Sequence, residues 1–451
     1  MEERHMSSDS KMEAGSKVRL NSVQGEFDGL IILDSNREVV LRLENGYQAR
    51  FLRDEIKSIT VLKGASTSGR EKTTKNPSKE QRPIPGMPII SILHAGGTIA
   101  SRVDYETGAV KAKFSPEEIL EMVPELSEIG NIRSRLVRNM MSDDMRFAHY
   151  NLLADEIKRE VESGVNGIII TQGTDTMHYT AAALSFALEN LPVPVIIVGS
   201  QRSSDRGSSD AALNLISAAY FIAKSDFAGV AICMHHSTND DECAILPGCK
   251  SRKLHTSRRD AFRAVNSSPI AIVNYKEKKV EFIPETYSKR NAERNLRVLH
   301  FKENLKIAIV KAHPNMHAEE IERFSDYDGI VLEGTGLGHM PITKSDEFTA
   351  EGEKIFRAIE LVAKNSVVVM SSQTIFGRVD MNVYSPGRRL IAAGVLGNYS
   401  DMTPETTFIK LAWLLSNYTK DEIKEKNLII KNFRGEISER TPIERDGQEW
   451  L

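Results

Sequence analysis

The chain has 451 residues, of which 40% are hydrophobic and 27% charged, and its formal net charge is −3. This composition is typical of a globular protein with two or three domains, and the small net charge excludes a general attraction to nucleic acid. Because the chain shows no apolar run of roughly 18 residues and only three cysteines, we expect no signal peptide, no membrane association and a cytoplasmic location.

The first 63 residues predict a small all-β barrel. Asn45-Gly46 separates two alternating runs and is a strong hairpin signal. The predicted strands cover residues 17–20, 29–33, 38–43, 47–52 and 58–62. Such barrels dock proteins or nucleic acid more often than they catalyse, and this one lacks an aromatic stacking platform, so we expect a docking domain over 1–63. Residues 64–87, rich in Ser, Thr, Lys, Pro and Gly, predict a linker.

From residue 88 onward, buried strands alternate with helices. This order predicts an α/β core with mostly parallel sheets and helices on both faces. A basic, loosely patterned stretch divides the core into domains 88–290 and 291–451, the second with a tail. The predicted strands are 89–93, 132–136, 167–170, 193–198, 229–234, 307–311, 329–332 and 366–370. The predicted helices are 144–163, 174–190, 210–224 and 403–416.

Two Gly-Thr turns, at Gly97-Thr98 and Gly173-Thr174, follow two of these buried strands. Open α/β sheets bind ligands at the carboxyl ends of their strands, so both threonines are expected to face one cleft. A threonine hydroxyl becomes a nucleophile only when a base takes its proton, and a lysine oriented by a carboxylate serves that purpose. Spacing alone leaves open whether Lys250, Lys253 or another lysine reaches the site. The alternative interpretation is that both are ordinary capped turns.

The segment His94-Ala-Gly-Gly-Thr98-Ile-Ala100, together with Gln172-Gly-Thr174-Asp175-Thr176-Met177, resembles the two signature motifs of the bacterial-type L-asparaginase family. The likeness covers roughly residues 88–420 and continues through Ser142-Asp143-Asp144-Met145 and Leu213-Asn214-Leu215. It implies hydrolysis of a side-chain amide to a carboxylate and ammonia through an acyl-enzyme, with no metal or nucleotide in this chain.

The resemblance also implies the roles of individual residues. Thr98 is the expected nucleophile, and Tyr105 assists it by hydrogen bonding. Thr174, Lys253 and Asp175 form the second catalytic group, and Asp175 also binds the substrate ammonium. The substrate-binding positions implied are Ser142, Asp143, Gly97 and Gly173, the glycines acting through backbone N–H groups. The family usually has Gln where this chain has Asp143.

A barrel and linker before such a core resemble the D-subunit family of the archaeal glutamyl-tRNA(Gln) amidotransferases. The Lys253-Leu-His-Thr-Ser-Arg-Arg-Asp-Ala-Phe262 run and the Gly435-Glu-Ile-Ser-Glu-Arg440 tail are similar to that family as well. The resemblance implies ammonia release from glutamine or asparagine, with the ammonia passed to an E subunit that converts Glu-tRNA(Gln). ATP and Mg²⁺ are expected in that partner, since this chain has no Walker loop. A homodimeric core within a heterotetramer is also implied.

Two other functions compete with this interpretation. One is a free-standing L-asparaginase with an accessory barrel, and the other is an RNA- or protein-binding module with a vestigial amidase core. Composition does not decide between glutamine and asparagine, since a single methylene changes binding by only about 1–3 kcal/mol. The cysteines and histidines near residue 240 match no zinc spacing, so we expect no metal site. The arginines at 252, 258, 259 and 263 suggest internal ion pairs or a partner interface rather than RNA contact.

Overall fold

A computed structural model describes residues 5–6, 16–23, 25–35, 37–43, 48–62, 84–97, 101–103, 110–112, 119–120, 123–202 and 209–440. Its N-terminal unit is one antiparallel sheet in the order β1-β6-β2-β3-β4-β5. The strands are β1 (His5–Met6), β2 (Lys17–Ser22), β3 (Gly25–Asp34), β4 (Glu38–Leu43), β5 (Gln48–Leu52) and β6 (Ile56–Val61).

This N-terminal sheet encloses its own apolar core, in which Leu20, Leu41 and Phe51 are almost fully buried. The five predicted strands are present, and β1 adds a sixth strand by pairing with β6. Within the described ranges no ladder joins β5 to β1, so the sheet is open in its hydrogen bonding there. Most of the predicted linker lies outside the described residues.

The rest of the chain alternates strands and helices, as predicted. The strands are β7 (Ile89–Gly96), β8 (Ser101–Val103), β9 (Val110–Ala112), β10 (Asn131–Met140), β11 (Gly167–Thr171), β12 (Leu188–Glu189), β13 (Pro194–Val198), β14 (Gly229–His235), β15 (Cys243–Pro247), β16 (Ser251–Lys253), β17 (Phe262–Ala264), β18 (Ala271–Asn274), β19 (Lys279–Phe282), β20 (Arg297–Val298), β21 (Ile307–Lys311), β22 (Gly329–Gly334) and β23 (Val367–Ser372). The helices are α1 (Leu126–Ile129), α2 (Phe147–Glu162), α3 (Met177–Ala187), α4 (Ala211–Lys224), α5 (Glu319–Glu322), α6 (Glu351–Asn365), α7 (Ser385–Ala392), α8 (Pro404–Asn417) and α9 (Lys420–Glu425). No helix in the described part of the chain is long and apolar enough to span a bilayer.

The central sheet has eight strands in the order β10-β7-β11-β13-β14-β15-β18-β19. The first five are parallel, which confirms the predicted parallel α/β core. The last three pair antiparallel and were not predicted. They extend the sheet beyond the part that the βαβ pattern of the sequence reveals.

Both faces of this sheet are covered by helices, which explains why its strands are apolar throughout. In β11, Ile168 and Ile170 point to the core that α2 and α3 cover. Ile169 points to the opposite core, which is covered by α4. The three consecutive isoleucines therefore pack into two separate apolar cores, one on each face of the sheet.

The C-terminal half has a parallel three-stranded sheet, β21-β22-β23. Helix α6 covers one face of it, and α8 packs on the other. Helix α8 also packs against α3 of the N-terminal half, and the ring of Trp413 stacks on Phe186 with centroids 5.4 Å apart. The apolar core is thus continuous between the two halves.

The imidazole of His94 joins three adjacent strands below the first Gly-Thr turn. Its Nδ1 lies 2.6 Å from Thr171 Oγ1 on β11, and its Nε2 lies 2.9 Å from Ser134 Oγ on β10. Burial lowers the pKa of His94 to about 4, so the ring is neutral at neutral pH. The neutral ring gives the buried Thr171 hydroxyl and the half-buried Ser134 hydroxyl hydrogen-bond partners within the sheet.

This burial makes a testable contribution to acid sensitivity. The folded-state pKa of His94 is about 4, below its ordinary value of 6.5. Unfolding therefore takes up a proton between those values, and stability falls as the pH is lowered from 6.5 to 4, by up to about 3 kcal/mol. We expect His94→Gln to reduce this pH dependence, measured by denaturant unfolding at pH 7 and pH 4.5. Equal pH dependence in both proteins would contradict the assignment.

Candidate active site

The parallel strands of the central sheet end at one common edge. His94 of β7 is aligned with Thr171 of β11, and Thr171 is aligned with Val198 of β13. The turns that follow these strands begin at Gly97, Gln172 and Gly199. The aligned register therefore places both Gly-Thr turns beside each other, at the edge where such sheets bind ligands.

The first two turns touch backbone to backbone at Gly97. This residue has φ of +87°, and a Cβ added there would lie 2.5 Å from Gly173 N and 2.6 Å from Gln172 C. Any side chain would strain the backbone and push the second turn away. Gly97 is therefore required by the close approach of the two turns, as well as by its positive φ.

Another turn, which follows β10, brings Ser142 to the same place. A Cβ added to Gly173 would lie 3.0 Å from Ser142 Oγ, and Thr176 Oγ1 donates a 2.6 Å hydrogen bond to Ser142 O. Ser142 is buried, whereas the neighbouring Asp143 is exposed to solvent. The structure thus gathers Gly97, Gly173 and Ser142 in direct contact, with Asp143 next along the chain.

Lys253 reaches this edge from the short β16–β17 hairpin. Its Nζ donates to Thr174 Oγ1 at 2.8 Å and to Asp175 Oδ1 at 2.7 Å. The Lys253 side chain is 10% exposed, whereas that of Asp175 is 60% exposed. Lys250, the other lysine that the sequence left open, instead forms a buried 2.7 Å ion pair with Asp401.

These contacts are suited to proton transfer. Lys253 already touches the Thr174 hydroxyl, so a neutral amine at this position could take the hydroxyl proton. Asp175 holds the lysine through one oxygen, while its exposure leaves the carboxylate accessible to a substrate ammonium. Helix α3 begins at Met177, directly after this turn. Its N-terminal dipole favours the negative charge that develops on a carbonyl oxygen during attack.

Sequence reasoning missed His178, which lies in the first turn of α3 beneath the site. Burial lowers its pKa to about 3, an effect reinforced by the positive charges of Arg252 and Lys253 and opposed by Asp175. The neutral ring packs against Phe262, 6.3 Å away between ring centroids. It follows Asp175 within the second motif, but nothing in the sequence shows that it is buried against the lysine hairpin.

The arginines near Lys253 are engaged within the chain. Arg252 pairs with Glu405 at 2.9 Å, and Arg259 pairs with Asp240. Arg258 and Arg263 both bind Asp260. These contacts match the internal ion pairs that the sequence suggested.

Thr98, which is bonded directly to Gly97, and Tyr105 lie outside the described residues. Among the residues that are described, no group of three or more His, Cys, Asp or Glu side chains could hold a metal ion.

Comparison with known proteins identifies the family. The model "Asparaginase, N-terminal" matches residues 89–287, and "Glutaminase/Asparaginase C-terminal domain" matches residues 306–427. The D subunit of the glutamyl-tRNA(Gln) amidotransferase from Methanococcus maripaludis is 43% identical over 96% of this chain and 100% of its own length. The chain belongs to the D-subunit family of glutamyl-tRNA(Gln) amidotransferases. The corresponding D subunit from Pyrococcus furiosus is 44% identical over 95% of this chain and 96% of its own.

Solved structures of L-asparaginases resemble the core of this chain but cover less of it. The thermostable L-asparaginase from Thermococcus kodakarensis matches with a TM-score of 0.66 and 29% identity, over 78% of this chain and 99% of its own. L-asparaginase I from Vibrio cholerae gives 0.66 and 27%, with the same coverage. The predicted asparaginase-like α/β core is therefore confirmed.

The contact between the two turns predicts how Gly97 responds to substitution. We expect Gly97→Ala to lower the free energy of unfolding by at least about 2 kcal/mol more than Gly164→Ala. Gly164 is a matched control, because its φ of +81° is similar but nothing lies within 4 Å of an added Cβ. Its substitution measures the positive-φ strain alone, roughly 1–2 kcal/mol. Equal losses in urea unfolding would show that the turns are not in contact.

Proposed function

We propose that this chain is the ammonia-releasing subunit of a tRNA-dependent amidotransferase and hydrolyses the side-chain amide of glutamine or asparagine. The observation that carries the amidase activity is Lys253 Nζ within 2.8 Å of Thr174 Oγ1 and 2.7 Å of Asp175 Oδ1, beside the Gly97 turn. Beside the nucleophile, the chemistry requires a hydroxyl that relays a proton, a base that accepts it and a carboxylate that orients the base, all at a ligand-binding edge. This site has those groups within hydrogen-bond reach of one another.

The reaction follows from these groups and the neighbouring Thr98. Thr98 Oγ attacks the amide carbon, its proton passes to the leaving nitrogen, the C–N bond breaks, and ammonia departs from an ester on Thr98. Water then adds to the ester carbon while Lys253, acting through the Thr174 hydroxyl, accepts its proton. The bond to Thr98 breaks, Thr98 regains a proton, and the free carboxylate leaves. Backbone N–H groups of the Gly97 and Thr174 turns stabilise the oxyanion.

The substrate is held by groups around the same turns. Asp175, which is more than half exposed, receives the α-ammonium of the amino acid. The buried Ser142, whose Oγ lies 3.0 Å from the place of a Gly173 Cβ, and the exposed Asp143 next to it meet the α-carboxylate and α-amino groups. Tyr105 assists Thr98 by hydrogen bonding. No step in this scheme uses a metal or a nucleotide.

The amidotransferase role is supported by the length of the similarity. The D subunits match 95–96% of this chain, including its N-terminal sheet, whereas the asparaginase structures match 78%. Amide hydrolysis by a free-standing asparaginase does not require an additional N-terminal unit. We propose that it docks an E subunit, which binds Glu-tRNA(Gln), uses ATP and Mg²⁺ and receives the ammonia. The complex is proposed to be a cytoplasmic heterotetramer around a homodimer of this chain.

The deciding experiment measures ammonia release from glutamine and from asparagine. The chain alone is compared with the chain plus the E subunit, ATP-Mg²⁺ and Glu-tRNA(Gln). We expect stimulation of glutamine hydrolysis by roughly tenfold or more, because a protein that supplies ammonia gains by releasing it only when the acceptor is ready. Fast hydrolysis of asparagine that is unaffected by the partner would instead establish a free-standing asparaginase.

The nucleophile is tested in the same assay. Thr98→Ala is expected to lower ammonia release by a factor of roughly 10³ or more, since no covalent intermediate can form. Its thermal unfolding should match that of the unmodified chain. Undiminished release would exclude Thr98 as the nucleophile. Absence of release from the folded, unmodified chain, even with its partner, would favour a binding module with a vestigial core.

Lys253→Met tests the base separately from the fold. We expect kcat to fall by roughly 10²–10⁴, since general-base catalysis is lost. The free energy of unfolding should change by no more than about 1 kcal/mol, because the partner Asp175 is 60% exposed. Lys279→Met, which breaks an exposed ion pair with Glu281, is the matched control and should alter neither quantity. A full kcat in Lys253→Met would contradict the assignment.

A further inference from the structure

Lys253 lies on a hairpin whose strands are not part of the hydrogen-bonded ladder of the central sheet. Strands β16 and β17 pair only with each other among the described strands, in a two-stranded sheet of their own. The three ladder pairs of this hairpin run from Ser251 with Ala264 to Lys253 with Phe262. The position of the lysine amine therefore depends on whatever fixes this hairpin from outside.

Two ion pairs fix the hairpin to the C-terminal half. Lys250 Nζ contacts Asp401 Oδ2 at 2.7 Å, with both side chains at most 4% exposed. Arg252 contacts Glu405 Oε1 at 2.9 Å, with side chains 23% and 10% exposed. Thr406 Oγ1 also donates to the backbone oxygen of Cys249 at 3.0 Å. The alternating cations at 250 and 252 thus meet two carboxylates within one five-residue segment, immediately before Lys253.

The segment that carries these carboxylates is itself well anchored. Asp401 Oδ1 accepts from Ser438 N at 3.1 Å, and Asp401 O accepts from Asn266 Nδ2 at 2.8 Å. Thr403 caps α8 by accepting from Thr406 N, and α8 is buried in the continuous core. A rigid element of the C-terminal half therefore contacts the base of the lysine hairpin at two points.

We propose that Asp401 and Glu405 are positioning residues for Lys253, and that through them the C-terminal half sets the distance between the lysine amine and Thr174. This inference rests on the amidase function proposed above and adds residues that neither signature motif contains. Lys250 and Arg252, both just before Lys253, are each held by an ion pair. Two such contacts fix both the position and the direction of strand β16. Misplacement of a reacting group by about 1 Å can lower a rate roughly 100-fold.

The kinetic test uses Asp401→Asn and Glu405→Ala. Asp401→Asn keeps the shape of the side chain but removes the charge that holds Lys250. We expect it to lower kcat for ammonia release roughly tenfold or more, with KM for glutamine within about twofold, since Lys253 rather than the substrate is displaced. Glu405→Ala breaks the more exposed pair, so the fold should tolerate it. Its kcat is expected to fall by about fivefold.

A second buried ion pair provides the control for stability. Lys410 and Glu436 lie 2.6 Å apart with both side chains fully buried. Lys410 also donates to the backbone oxygen of Lys431, and Glu436 accepts from the backbone N–H of Phe433, so this pair joins α8 to the C-terminal segment. Glu436→Gln should therefore lower Tm as Asp401→Asn does, while kcat stays within about twofold. A purely structural role for Asp401 predicts instead that both variants lose activity only in proportion to the unfolded fraction.

Amide hydrogen exchange tests the same inference without using activity. Exchange of residues 251–264 should accelerate in Asp401→Asn and Glu405→Ala but not in Glu436→Gln, when each is measured well below its Tm. If Asp401→Asn and Glu405→Ala both leave the exchange of residues 251–264 and kcat unchanged, the proposal is overturned. If the unmodified chain releases no ammonia at all, the amidase function fails, and hydrogen exchange still decides whether these two carboxylates hold the hairpin.

Discussion

The candidate active site depends on one steric constraint, the backbone contact between the turns at Gly97 and Gly173. It exists because β7 and β11 are adjacent, parallel and in a register that ends them together. With 2.5 Å from the place of a Gly97 Cβ to Gly173 N, there is room for hydrogen alone. Once the turns touch, Thr174 lies at the sheet edge within reach of Lys253. The remaining groups of the site surround this contact.

The parts of the fold predicted from sequence are those encoded by local patterns. Continuous apolar runs such as residues 167–170 identified the parallel strands because both of their faces are buried. Thr403 followed by Pro404 predicted the start of α8, and the structure has the Thr403 cap and a helix from Pro404 to Asn417. The predicted helix 174–190 begins later, at Met177, since Thr174 and Asp175 face Lys253 and Thr176 binds Ser142.

The parts that could not be predicted depend on contacts between distant residues. Strands β15, β18 and β19 are short and pair antiparallel, so no βαβ alternation marks them. The choice between Lys250 and Lys253 could not be made from spacing, because the two lie only three positions apart. In the structure Lys250 is bound to Asp401, which is 151 residues away along the chain, and Lys253 contacts Thr174. His178 was missed for a similar reason, since its burial arises from packing against a hairpin far along the sequence.

The continuous core between the halves has a consequence for dividing this chain. One family model ends at residue 287 and the other begins at residue 306. This interval therefore looks like a natural boundary at which to divide the chain into fragments. A fragment ending there would leave the side of α3 that Trp413 and its neighbours now cover exposed to water. Because the two halves share one apolar core, we expect neither half to fold well as a separate fragment. The N-terminal sheet, with its own enclosed core, is the better choice for an independent fragment.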